Sequence, residues 1–210
     1  MRERTVVRSG WLNIACQLVF VALLFAFGSA TPIPLRGVPR TAVLALLVLF
    51  PSILWTGFFY LQDRREPEPS RDVLIAFAAG MASASLVALP AEAHVFQIRD
   101  WMYGSVALLA VGSTLVRGAL VSLLFYGTLR YGFAPSPEFD EPVDGLVYGA
   151  FVGSGFGAIQ SLAYLVAHPQ FTVFVIGYTA SVNVLFYASI GALIGHFVGR
   201  AKFVPGAGWR

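Results

Sequence analysis

The side chains with chemical potential in this sequence lie inside long apolar runs: Ser113, Thr114, Arg117, Gln160, Ser161 and Asn183. Arg117 is the charged one among them. An ionisable residue inside a membrane span is costly and marks function by default. The others are neutral. A Ser113 or Thr114 nucleophile needs a nearby base, and Arg117 stays protonated. Metal ligation needs the lone pairs of His, Asp, Glu or Cys, and general-base chemistry needs a titratable group. Ser, Thr, Gln and Asn supply neither. The set predicts a polar pocket, with no metal and no cofactor. Arg117 requires an acceptor: Gln160, Asn183, a carbonyl, Asp144, or a carboxylate or phosphate from outside the chain.

The elements that must position these residues are membrane helices. Of the 210 residues, 57% are hydrophobic and 12% charged, with a mean hydropathy of +0.73. Runs of about 20 apolar residues read as transmembrane helices. They fall at 11–30, 41–61, 73–91, 105–129, 145–167 and 172–198. The expectation is an all-α, polytopic membrane protein with about six transmembrane helices, forming a single transmembrane domain over 1–210. The runs are continuous rather than alternating, which argues against a β-barrel. At ~1.5 Å per residue, Ser113 lies ~12 Å, Gln160 ~10 Å and Asn183 ~17 Å from the same face of the bilayer. Ser113 and Thr114 share a helix face with Arg117, so all are expected around one inward-facing pocket.

The net charge of +3 does not point to nucleic acid, because the basic residues flank the spans. Arg2, Arg4, Arg8, Arg64, Arg65, Arg71, Arg130, Arg200, Lys202 and Arg210 fall on one side, and Arg36, Arg40 and Arg99 on the other. The positive-inside rule then places both termini in the cytoplasm. The segment 28–30, Gly-Ser-Ala, resembles a signal-peptide cleavage site, but the preceding apolar stretch is long for one, so a retained span is expected. Cys16 is alone, which excludes a disulfide within the chain. His94, His168 and His196 lie near span ends and read as interfacial. The loop 92–104, with Glu92, Asp100 and Trp101, reads as an outer interfacial segment. The Pro-rich linker 63–72 and the acidic loop 130–144 read as cytoplasmic connections.

Glycine recurs at helical spacing in the last two spans: Gly145, Gly149, Gly153 and Gly157, then Gly191, Gly195 and Gly199. Small residues four apart form a face that lets helices approach closely. Either a helix of the same chain or a lipid-facing client helix would satisfy such a stripe.

The stretch 144–164 resembles the PrsW-type intramembrane proteases, related in architecture to the CAAX-protease-like membrane families. In that family an Asp-Gly pair opens a span. Gly-Phe, Glu-Asn and a Tyr then follow. Asp144, Gly145, Gly155, Phe156 and Tyr164 fit this pattern, while Gln160-Ser161 stands at Glu-Asn. The family's Glu-Glu-x-x-Lys-Gly corresponds to Ser113, Thr114, Arg117 and Gly118. Its His-Phe-Gly series corresponds to Asn183, Phe186 and Gly191. The resemblance implies a PrsW/CAAX-protease-like helical bundle and a bacterial inner (plasma) membrane location. It also implies that the family's Glu-Glu, Glu-Asn and His positions are replaced here, while the Asp of its Asp-Gly pair is kept as Asp144.

The expectation is therefore a non-catalytic PrsW-like scaffold. It would bind membrane lipids, and other membrane protein subunits or a client transmembrane helix docked on glycine stripes. The alternatives are an active intramembrane protease with an altered site, and a lipid or small-solute binding or transport protein.

Overall fold

The computed structural model describes residues 2–28, 37–62 and 68–203. The linker 63–67 and the small-residue pair 29–30 lie outside the described residues. Six long helices account for the fold: α1 (Arg2–Gly28), α2 (Gly37–Gln62), α3 (Ser70–Val95), α4 (Val106–Phe133), α5 (Asp144–Ala167) and α6 (Val173–Phe203). Among the described residues, α2 to α6 are each long and apolar enough to cross a membrane, and α1 contributes a shorter apolar stretch, Ile14–Ala26.

The ends of the helices follow from local chemistry. Ser105 is extended, and its hydroxyl accepts from the Leu108 amide at 3.2 Å, starting α4. The Asp144 carboxylate accepts from the Glu141 amide at 2.6 Å at the start of α5. At the far end of α5, Arg40 from α2 donates to the carbonyls of Leu165 and His168, at 3.3 and 3.4 Å. A cation there matches both the orphan carbonyls and the negative end of the helix dipole. Where α6 ends, Lys202 donates to the carbonyls of Ala134 (2.8 Å) and Phe139. Phe133, Phe139, Tyr148 and Phe203 stack in series at this end of the bundle, and the Tyr148 hydroxyl donates to Glu68. The acidic loop is thus folded back against the bundle by its aromatic residue.

The core is the α5–α6 hairpin, against which α3 and α2 pack. Its glycines explain the close approach. A Cβ on Gly145 would overlap the Gly195 carbonyl, one on Gly149 the Gly191 carbonyl, and one on Gly153 the Tyr187 carbonyl. Gly80 of α3 and Gly155 of α5 meet the Val152 and Phe77 carbonyls in the same way. The expectation that these stripes face lipid and dock a client helix is corrected here. Gly145, Gly149, Gly153, Gly157, Gly191, Gly195 and Gly199 are all buried within the chain, where van der Waals packing replaces the hydrophobic drive that lipid cannot supply.

The ends of several predicted spans also differ. α3 runs four residues past Ala91, to Val95, and α6 continues through Arg200 and Lys202 to Phe203. Backbone hydrogen bonding continues where the hydropathy falls. The segment 92–95, expected in an interfacial loop, is therefore helix.

Candidate binding site

Both α3 and α4 contain wide, π-type turns, in which the backbone accommodates one extra residue. In α3 these cover Ser83–Ala88 and Ala91–Val95; in α4 they include Gly112–Arg117. Pro90 supplies a cause in α3, since it has no amide hydrogen to close the preceding turn. Such turns recur at functional sites. Here one carries Glu92 and another Arg117.

The two side chains meet. Arg117 Nη2 lies 2.8 Å from Glu92 Oε2, with side-chain exposures of 34% and 10%. Gln160 Nε2 of α5 donates to Glu92 Oε1 at 3.3 Å. Helical side chains lean toward the N-terminus of their helix, so Arg117 reaches toward the end where α3 finishes and α4 begins. Arg117 Nε is itself buried without a partner.

This cluster forms the floor of a cavity of about 540 Å³ between α3, α4 and α5. Leu89, Ala93, Ile98, Ala163 and Ala167 supply its apolar walls, and Tyr103, Tyr164 and His168 line it toward the helix ends. His168 is held in place: its Nδ1 is 2.7 Å from the Tyr164 carbonyl, and its ring stacks on Phe171 at 5.1 Å. Tyr103, which lines the cavity ahead of α4, is exposed, as is every residue from there to Val111.

The structure brings together two of the six chemically interesting residues, Arg117 and Gln160. The other four do not line this cavity. The Ser113 hydroxyl donates to the Ala110 carbonyl of its own helix at 3.2 Å. Thr114 is exposed. Ser161 is fully buried, and its hydroxyl has no partner. Asn183 is half-buried on α6. The joint six-residue pocket is thus corrected to a smaller one whose central member, Glu92, the sequence reading had placed in a loop. Glu92 thus adds a second charge to the helices, three residues from the end of α3. The missed signal was the run Ala-Glu-Ala-His-Val after Pro90, which is helix-compatible, because membrane helices tolerate an internal proline.

Fold and cavity together define a polytopic helical membrane protein with a charged pair lining a chamber. Residues 68–210 match the family described as PrsW family intramembrane metalloprotease, and the chain belongs to that family. Protease PrsW of Bacillus subtilis (strain 168) is 31% identical over 153 residues, covering 73% of this chain and 66% of that protein. Protease PrsW of Geobacillus kaustophilus (strain HTA426) is 30% identical over 158 residues, covering 73% of this chain and 64% of that protein. The matched region thus spans about two thirds of the length of these curated relatives. No solved structure matches the chain. Its kinship with bacterial proteins and its apolar helices make it a bacterial-type membrane protein.

The family description implies a metal, and the residues present do not fit one. Ser113, Thr114, Gln160, Ser161 and Asn183 offer no carboxylate, imidazole or thiolate. The cavity adds Glu92 and His168, and no group of three His, Cys, Asp or Glu side chains suited to a metal occurs among the described residues. Glu92 is already bound to a guanidinium, whose positive charge repels a dication at the same carboxylate.

Proposed function

We infer that this chain is a PrsW-family membrane protein without proteolytic chemistry, which works by binding. It acts as a scaffold or accessory subunit of a larger complex in the bacterial plasma membrane, or holds a client transmembrane helix. The observation that carries this reading is the Glu92–Arg117–Gln160 cluster. The carboxylate that lines this cavity beside Arg117 and Gln160 is tied to a permanent cation and an amide. A carboxylate so held has both oxygens engaged within the chain.

A second reading, a protease of altered chemistry, draws on one observation: Glu92 and His168 line the same cavity. Both are titratable groups of the kind used in general acid–base catalysis.

One experiment separates the two. The full chain is purified in lipid nanodiscs, analysed for bound zinc, and incubated with a membrane-spanning peptide with and without added zinc. The expected result is substoichiometric zinc and no cleavage. Cleavage abolished by Glu92→Gln and His168→Gln would overturn the binding reading. Mass spectrometry of the gently extracted complex is expected to show a stoichiometric membrane partner.

A further inference from the structure

The chamber beside the ion pair offers both signs of charge, and each partner keeps unused capacity. Glu92 accepts one bond on each oxygen, from Arg117 and from Gln160, whereas a carboxylate has about four acceptor sites. Arg117 donates to Glu92 through Nη2 while its buried Nε–H is unpartnered. An orphaned donor on a charged group is expensive in a medium of low dielectric. A purely anionic ligand would satisfy Arg117 but face the Glu92 carboxylate. A purely cationic one would meet the reverse problem. A zwitterion satisfies both.

The surroundings specify what the zwitterion is attached to. Gln160 lies ~10 Å below the end of α5 by helical rise, and His168 stands just beyond that end. The chamber therefore runs from the bilayer's interfacial zone into its hydrocarbon. Its walls are apolar. The first turns of α4 are exposed on every face from Val106 to Val111, and Tyr103 just before them lines the chamber. At about 540 Å³ it is within the usual range for small-molecule sites, roughly 300–1,000 Å³.

We propose that this chamber binds the headgroup of an aminophospholipid. A phosphodiester oxygen accepts from the guanidinium of Arg117, whose side chain is 34% exposed, the primary ammonium donates to Glu92, and the acyl chains leave past the start of α4. A quaternary ammonium has no proton to give Glu92, and a glycerol headgroup has no cation. The site therefore discriminates phosphatidylethanolamine from phosphatidylcholine and phosphatidylglycerol. This proposal goes beyond the function inferred above and holds whether or not the chain cleaves a substrate.

The test is native mass spectrometry of the full chain, extracted from vesicles containing equal amounts of the three lipids. Phosphatidylethanolamine adducts are expected to exceed each of the others about tenfold, the scale of one charge-assisted hydrogen bond. That preference should vanish in Glu92→Gln and in Arg117→Gln. The double variant E92Q/R117Q removes both charges together, so it avoids leaving an unpaired charge, and it should also lose the preference while retaining its helical circular dichroism. Equal retention of the three lipids, or an unchanged preference in a folded double variant, would overturn the proposal. So would full displacement of the lipid by an equal concentration of free phosphoethanolamine, which would assign the site to a soluble amine phosphate. Proteolysis in the same preparation would sink the inferred function while leaving the lipid preference intact.

Discussion

Glu92 and Arg117 show how a buried pair can be felt more through its breaking than through its presence. Removing one partner strands the other, whereas removing both leaves only neutral groups. Glu92→Gln and Arg117→Gln should therefore each lower stability in detergent unfolding, and E92Q/R117Q should recover much of the loss. The coupling should be about 1–2 kcal/mol, toward the low end for buried pairs because the Arg117 side chain remains 34% exposed. Strict additivity in the double-mutant cycle would show that the pair contributes nothing. At this scale the sequence was half legible. The need of Arg117 for an acceptor follows from its depth, but Gln160, one of the acceptors offered for it, instead donates to the same carboxylate. The acceptor itself lay one residue beyond the predicted end of its span at Ala91, where the hydropathy falls but the helix runs on to Val95. Ser113 and Ser161 were also misplaced, for a different reason. Spacing puts residues on a helix face, but it does not say whether a hydroxyl turns back to its own helix, as Ser113 does.

Among elements, the glycine-lined contact between α5 and α6 dominates. A methyl group at Gly195 or Gly149 overlaps a backbone carbonyl of the facing helix, and backbone cannot swing aside as a side chain can. Gly195→Ala and Gly149→Ala should each destabilise by about 1–3 kcal/mol, the usual penalty of overpacking. Gly57→Ala and Gly127→Ala meet nothing within 4 Å and should be neutral or stabilising by up to ~1 kcal/mol through helix propensity. Steric-trap unfolding of the four variants checks the contrast; equal effects at all four sites would sink the packing argument. The four-residue spacing announced a close helix contact. Which helix it meets is a matter of topology, and the short turn around Phe171 settles it by folding α6 directly back on α5. Span ends were less legible. Hydropathy drops at Glu92 and at Arg200, while the hydrogen-bonded backbone runs on.

For the whole molecule, the basic residues predict an orientation with Arg71, Arg130, Arg200 and Lys202 in the cytoplasm and the chamber near the outer face. Alkaline phosphatase fusions should be inactive after residue 135 and active after residue 169. The opposite pattern would invert the chamber and place its lipid in the inner leaflet. The helical class and the approximate number of spans were plain from composition, because continuous apolar runs have few other solutions. The arrangement also has a bearing on biogenesis. The hairpin on which α2 and α3 pack is made after them, so these helices enter the bilayer before the surface that receives them exists. Arg40 leaves the ribosome more than a hundred residues ahead of the carbonyls it will clasp. The early helices must therefore persist as separate spans, and the bundle closes around its late-arriving centre only once α5 and α6 have been inserted.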